Sequence, residues 1–124
     1  NQAAATSSET EIKLTNVAKA SLEELLDDYE DYLRVRNLRL WPKDSVEVEA
    51  MRKLGIEHRD SGFFLSLAET RSDEVVANMV IVLICQADVL LDRYQQRQKE
   101  KFLKEGGFRE NLTKERVRCR NNRG

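Results

Sequence analysis

The fold is decided by the stretch from Ser72 to Glu105, which has the sequence SDEVVANMVIVLICQADVLLDRYQQRQKEKFLKE. Spacings of four and three, the repeat of an α-helix, separate a set of its apolar residues: Val76, Val80, Leu83, Ala87, Leu90 and Tyr94. Seven consecutive apolar residues from Met79 to Cys85 make the middle of this helix apolar on every side, which a surface helix is not. The sequence therefore predicts a long helix over about 72–105 that several neighbours enclose.

Residues typical of helix boundaries lie at both ends of this predicted helix. Ser72 is a suitable N-cap, and Asp73 and Glu74 place negative charge in the first turn, where the helix dipole favours it. Gly106-Gly107 is a typical helix stop.

A second long helix is predicted over about 9–36. It begins at Ser8-Glu9-Thr10-Glu11, which matches a capping box, and it ends near Arg36-Asn37. Its apolar residues also follow helical spacing and predict one apolar stripe, formed by Leu14, Ala18, Leu22, Leu25, Tyr29 and Tyr32.

The segment between the long helices is a connector with a short helix. Pro42 pushes Trp41 out of the α region, and Asp44-Ser45-Val46-Glu47 is typical of a cap, so a short helix is expected over about 44–54, stopped by Gly55. Residues 56–71 are ambiguous, although 61–67 suits a short helical turn that brings Phe63, Phe64 and Leu67 onto the bundle. Trp41 is a partner-binding side chain or, as we favour, closes the end of the helix pair.

Composition supports an all-α protein. The chain has 124 residues, about one domain, with one Pro and five Gly, whereas all-β folds need frequent turn residues. We predict a helical bundle domain over 1–107, built from two long antiparallel helices and the short connector helix, followed by a basic C-terminal tail over 108–124.

Two long helices and a connector do not easily enclose a helix that is apolar all round, so we expect a homo-oligomer. The predicted interface lies on the apolar side of the second long helix and consists of Val76, Met79, Val80, Leu83, Ala87, Leu90 and Tyr94.

A cytoplasmic location is expected. The first eleven residues are polar and lack the apolar region of a signal peptide. The longest uncharged stretch, Val75 to Ala87, is shorter than the ~20 apolar residues of a membrane span, so no membrane partner is predicted. Cys85 and Cys119 do not have metal-type or disulfide-framework spacing, and Cys85 is interpreted as a buried thiol.

Four stretches resemble the bacterial four-helix-bundle suffix-domain proteins. They are EIKLTNVAKASLEELLDDYEDYL at 11–33, LWPKD at 40–44, EVVAN at 74–78 and FLKEGGF at 102–108. The resemblance follows the same order along most of the chain. The family is similar to proteins encoded by intervening sequences in bacterial 23S ribosomal RNA genes.

This resemblance implies an up-and-down four-helix bundle whose members form ring-like homo-oligomers, with no catalytic residues. A more distant relative, the accessory protein of diversity-generating retroelements, works with nucleic acid and a reverse transcriptase. Residues 1–8 resemble the segment after the family's first helical hairpin, so that hairpin is expected to be absent. Either the chain is the C-terminal part of such a bundle, or partners supply the missing helices.

Charge is strongly segregated along the chain. Residues 93–124 contain eleven Lys or Arg against four Glu, a net charge of +7, whereas residues 1–92 carry −8. A basic end of this kind is the electrostatic signature of nucleic-acid binding. The candidate RNA-contacting residues are Arg93, Arg97, Lys101, Lys104, Arg109, Lys114, Arg116, Arg118, Arg120 and Arg123.

No enzymatic chemistry is predicted. Carboxylate-bridged di-iron bundles need Glu-x-x-His pairs, and the residue three before the only histidine, His58, is Gly55. A solvated surface is therefore favoured over a metal site for the acidic residues Glu23, Glu24, Asp27, Asp28, Glu30 and Asp31. No phosphate-binding loop or nucleophile motif is present, so neither a cofactor nor a small-molecule substrate is expected.

Three functional hypotheses remain at this stage. The first is a non-enzymatic oligomeric helical protein whose basic C-terminal segment contacts RNA. The second is a protein-interaction scaffold without a nucleic-acid role, in which the basic segment pairs with acidic surface. The third, a metal-dependent enzyme that uses the acidic helix, is the least favoured.

Overall fold

The computed structural model of the chain describes residues 2–104, with side chains from Ser8 onward. Within those residues there are four helices and no strand, so the predicted all-α class is confirmed. The helices are α1 (Gln2–Val35), α2 (Val46–Glu57), α3 (Ser61–Glu69) and α4 (Asp73–Lys104). The predicted basic tail over 108–124 and the Gly106-Gly107 stop lie outside the described residues.

The two long helices, α1 and α4, pack against each other in opposite directions. Thr15 near the start of α1 meets Gln98 near the end of α4, whereas Leu33 near the end of α1 packs with Ala77 near the start of α4. This first core cluster consists of Leu26, Leu33, Ala77, Ile81 and Ile84.

The start of α1 differs from the prediction, and its end agrees with it. Ser8 lies inside the helix and is buried, so the predicted capping box does not begin α1. At the other end, Asn37 has a φ of 59°, and the Leu38 N–H donates to the Leu33 carbonyl oxygen at 2.8 Å. These are the left-handed residue and the six-to-one hydrogen bond of a Schellman motif, which satisfies the last carbonyls of the helix.

The apolar stripe predicted for α1 only partly faces the core. Leu14 is 63% exposed and Leu25 is 41% exposed. The buried positions of α1 are instead Ser8, Ile12, Thr15, Leu26 and Leu33. Polar side chains, Ser8 and Thr15, occupy part of the buried side of α1. A prediction from the spacing of apolar residues alone therefore does not include these positions.

The connector between α1 and α2 is held onto α4 by Asn78. The Asn78 side chain is fully buried, its Oδ1 accepts from the Trp41 backbone N–H at 2.8 Å, and its Nδ2 donates to the carbonyl oxygens of Arg39 and Glu74, each at 2.9 Å. Trp41 is consequently buried at the end of the helix pair, as favoured above. A second core cluster forms there from Trp41, Val48, Met51, Met79 and Val82.

Helix α2 crosses α4 at a glycine. The Ser45 hydroxyl accepts from the Val48 N–H at 3.2 Å, which confirms the predicted cap. Gly55 does not stop the helix, which continues to Glu57. A Cβ at Gly55 would lie 2.1 Å from Gln86 Oε1 and 3.2 Å from Leu83 Cδ2, so the glycine permits close approach of α2 to α4.

The ambiguous segment contains a true helix, α3, capped by Asp60, whose carboxylate accepts from the Gly62 N–H at 3.0 Å. Phe64 and Leu67 pack against the second core cluster, as expected. Phe63 stacks on His58, with ring centroids 3.8 Å apart.

Helix α4 begins where predicted, because the Ser72 hydroxyl accepts from the Val75 N–H at 3.3 Å. Every residue from Met79 to Cys85 is buried or half-buried within the chain. Residues of α1 cover one side of this segment, and α2 and α3 cover the other. The chain thus encloses the apolar middle of α4 itself, and the uncovered apolar residues lie further along the helix.

Candidate interaction surfaces

Four of the predicted RNA-contacting residues form one exposed ridge at the end of α4. Arg93, Arg97, Lys101 and Lys104 are spaced by four, four and three residues, which places them on one side of a helix, and all four are exposed. None of them forms an ion pair or hydrogen bond with another residue in the described part of the chain. We call these four residues the basic ridge. The other six candidates lie outside the described residues: Arg109, Lys114, Arg116, Arg118, Arg120 and Arg123.

A polar seam, which the sequence analysis missed, joins the first half of α1 to the second half of α4. Lys19 Nζ lies 3.1 Å from Asp92 Oδ1 and 3.4 Å from Gln95 Oε1. The Gln95 amide also donates to the Asn16 side-chain oxygen. Because each group finds its partner on the opposite helix, these contacts fix the register of the two helices.

The seam continues one turn further at Thr15 and Gln98. The Thr15 hydroxyl lies 3.0 Å from Gln98 Oε1 and 2.9 Å from the Glu11 carbonyl oxygen. Gln98 Nε2 is buried and has no hydrogen-bond partner among residues 8–104. Buried polar atoms of this kind are costly to leave unpaired, so Gln98 is a weak point in the seam.

A groove of about 850 Å³ lies between α4 and the α2–α3 pair. Its apolar lining comes from Val48, Ile56, Phe64, Val82, Leu83, Val89 and Leu90. Volumes of several hundred Å³ with mostly apolar walls are typical of binding sites. The groove is therefore a candidate binding feature of the described residues.

The rim of the groove carries positive charge. Its charged lining residues are Lys43, Arg52, Arg59 and Arg93, and no Asp or Glu is among the described residues that line it. Arg93 thus belongs both to this rim and to the start of the basic ridge. The arrangement favours an occupant with an apolar surface and flanking negative charge.

The predicted oligomer-interface residues separate into covered and uncovered groups. Met79 is buried in the second core cluster, and Val76, Val80, Leu83 and Ala87 are half-buried. Leu90 is 62% exposed and Tyr94 is 44% exposed. Leu83 and Leu90 line the groove, and Tyr94 follows one turn after Leu90, so the exposed stripe continues from the groove.

The acidic residues of α1 lie mainly on its outer side. Glu24, Asp27, Asp28 and Asp31 are exposed, whereas Glu23 and Glu30 are half-buried. No group of three or more His, Cys, Asp or Glu side chains in the described residues is arranged to hold a metal ion. His58 is half-buried, and its ring stacks on Phe63.

Cys85 differs from the expectation of a buried free thiol. It is half-buried and disulfide-bonded.

Helix α4 is long and apolar enough to cross a membrane, judged by length and composition alone. An 18-residue window that includes up to two charged residues and extends past Asp88 meets this criterion, although the uncharged stretch from Val75 to Ala87 is shorter than that window. The criterion is weak, since the core helix of a soluble protein also meets it. In that window 33% of the residues are buried within the chain, so much of the apolar helix is only partly covered.

With these surfaces described, comparison with known proteins adds no relative, since no protein-family model, curated protein or solved structure matches the chain.

Proposed function

We propose that this chain is a non-enzymatic helical assembly protein that self-associates through the exposed apolar residues of α4 and contacts RNA through the basic end of that helix. The observation that carries the RNA contact is the basic ridge. Its cations are exposed, share one side of α4 and are not engaged by described acidic side chains. Six more Lys or Arg residues of the predicted set follow in the sequence after α4.

A ridge of this kind binds the phosphate backbone. Lys and Arg side chains that neutralise phosphates release counterions, so the affinity falls as salt rises. Discrimination between RNA sequences needs side chains that contact base edges or stack on bases. Two aromatic residues lie between Arg93 and Lys104: Phe102 is buried, and Tyr94 belongs to the exposed apolar surface of α4. The proposed contact therefore depends on RNA shape and charge.

Self-association is supported by the exposed apolar residues Leu90 and Tyr94. They continue an apolar groove and lie beside Arg93 and Arg97, so one helix offers an apolar surface and a cationic surface in succession. The resemblance to the suffix-domain proteins supports the same proposal, because that family is expected to form ring-like homo-oligomers and has a distant relative that works with nucleic acid.

The test is fluorescence-anisotropy binding to a structured RNA across a salt series. The variant Arg97→Gln, Lys101→Gln, Lys104→Gln removes three cations of the ridge. The matched control Lys13→Gln, Arg34→Gln, Lys53→Gln removes three exposed cations elsewhere. We expect the ridge variant to bind more weakly and to make the slope of log affinity against log salt shallower by about 2, at roughly 0.7 per lost contact.

The control variant is expected to keep most of the wild-type affinity and slope. Equal weakening by both variants would mean that net charge, and not the ridge, determines binding. Absence of binding by the wild-type chain at low salt would overturn the RNA proposal.

That last result would leave the second candidate, a protein-interaction scaffold. The groove with its exposed continuation at Leu90 and Tyr94 favours this candidate independently of the basic ridge. Self-association without RNA binding would support it.

A further inference from the structure

We propose that the groove between α4 and the α2–α3 pair holds the acidic outer side of α1 from a second copy of this chain. This inference rests on the proposed self-association and names the two surfaces that meet. It predicts a head-to-tail contact, in which each copy contributes a groove to one neighbour and an α1 side to another.

The groove offers an apolar floor with positive flanks. Phe64, Leu83 and Leu90 contribute apolar surface, and Leu90 remains 62% exposed. Arg59 and Arg93 are exposed at the rim, with no described partner for either cation. A carboxylate that approached this rim would meet no negative side chain from the described lining.

Helix α1 offers the opposite pattern over a single turn. Leu25 is 41% exposed, and the exposed carboxylates of Glu24 and Asp28 lie on either side of it in the sequence. Residues four apart are neighbours on a helix surface, so Glu24 and Asp28 form an acidic pair next to an exposed leucine. Neither carboxylate is engaged by a described partner.

The two surfaces cannot meet within one molecule. Leu26, the neighbour of Leu25, is buried in the first core cluster on the side of α4 that carries Ala77, Ile81 and Ile84. The groove lies on another side of α4, at Leu83 and Leu90. Because α1 is fixed along the first side, its acidic side faces away from its own groove.

Such a contact joins different surfaces of two identical subunits. Contacts of this type are heterologous and generate a closed ring or an open filament, according to the rotation between neighbours. Complementary charge sets the orientation of the contact. Arg97, Lys101 and Lys104 stay outside this contact, so most of the basic ridge remains accessible in the assembly.

The decisive experiment reverses the charge on each side separately and then mixes the variants. One variant is Glu24→Lys, Asp28→Lys, and the other is Arg59→Glu, Arg93→Glu. Mass is measured by size-exclusion chromatography with light scattering, and circular dichroism verifies that each variant is folded. A matched control, Glu9→Lys, Glu100→Lys, reverses two exposed carboxylates away from both surfaces.

We expect the wild-type chain and the control to have a mass that is a multiple of 14.4 kDa. Each charge-reversed variant alone should lose assembly and have the mass of one chain. An equimolar mixture should regain assembly, because each reversed surface now finds a complementary surface on the other variant. A single chain that carries all four substitutions should assemble for the same reason.

The outcomes separate this inference from the proposed function. Wild-type assembly that persists in both reversed variants would overturn the groove contact and leave self-association intact. A monomeric wild-type chain at high concentration would overturn both. If that monomer also changed its Trp41 emission on addition of oleate, the groove would be assigned to a small anionic amphiphile instead.

Discussion

Lys19 Nζ lies 3.1 Å from Asp92 Oδ1 in the polar seam, and the two side chains are only 14% and 18% exposed. This ion pair links the middle of α1 to the second half of α4. Removal of one partner leaves the other charge in a largely desolvated position, which is more costly than the loss of a surface pair. The seam is therefore expected to contribute to stability as well as to register.

Lys19→Met is expected to lower the free energy of unfolding by about 2 kcal/mol. This value lies between the contribution of an exposed ion pair and the cost of removing one partner of a buried ion pair. Adding Asp92→Leu should recover most of this loss, because the double variant leaves no unpaired charge. Urea unfolding measures the effect, with Lys53→Met on the exposed side of α2 as the control. Equal stability of Lys19→Met and the control would contradict a structural role for the pair.

Gln98→Leu is expected to stabilise the chain. The substitution removes a buried amide nitrogen that has no partner, and Thr15 keeps its contact with the Glu11 carbonyl oxygen. We expect a gain of about 1 kcal/mol in the free energy of unfolding. Gln96→Leu, at an exposed position two residues earlier, is the matched control. A loss of stability specific to Gln98→Leu would show that the Thr15–Gln98 contact outweighs the unpaired nitrogen.

Asn78→Ala is expected to detach the connector from α4. The variant removes three hydrogen bonds and leaves the buried Trp41 N–H without its acceptor, a loss of about 3 kcal/mol at about 1 kcal/mol per bond. Thermal unfolding and the emission maximum of Trp41 report the change, with Gln96→Ala as the control. A variant with wild-type stability and unshifted emission would show that apolar packing alone holds Trp41.

Leu90→Asp is expected to abolish self-association without unfolding the chain, because Leu90 is 62% exposed and no core cluster depends on it. Leu83→Asp should also break assembly. Leu83 is half-buried against the second core cluster, and an unpaired charge there is strongly unfavourable, so that variant should also lose stability. Light scattering measures mass and circular dichroism measures helix content.

The control for this pair is Val46→Asp, which places the same charge at a position that is 81% exposed on α2. It should keep the wild-type mass. If Leu90→Asp kept the wild-type mass as well, the interface would not include the exposed stripe of α4.

The local signals in the sequence predicted several elements well. Ser45 and Ser72 act as N-caps, as expected. The hydroxyl of a serine that precedes a helix accepts a hydrogen bond from one of the free backbone N–H groups of the first turn. Gly55 was misinterpreted, since a glycine that stops a helix and one that permits close approach of two helices look the same in sequence. Only the position of Gln86 on α4 distinguishes them.

The seam was missed for a different reason. Periodicity arguments count apolar residues, and the buried positions on this side of the helix pair include Thr15, Gln95 and Gln98. Polar residues that pair only with one another leave no apolar pattern. For the same reason the predicted stripe on α1 includes Leu14 and Leu25, which are exposed. Its other members Leu22, Tyr29 and Tyr32 do pack against the first core cluster. The four residues of the basic ridge, in contrast, belong to the set predicted from the count of charges in residues 93–124.

The polar seam also bears on how copies of this chain can exchange parts. Domain swapping, in which an element of one molecule replaces its counterpart in another, is a low-cost route to dimers. An apolar helix that displaced α1 would leave Asp92 and Gln95 without Lys19 and Asn16. Only another α1 in the same register restores every contact. The seam therefore favours exchange of α1 only with the α1 of another copy, and it disfavours replacement of α1 by an unrelated apolar helix.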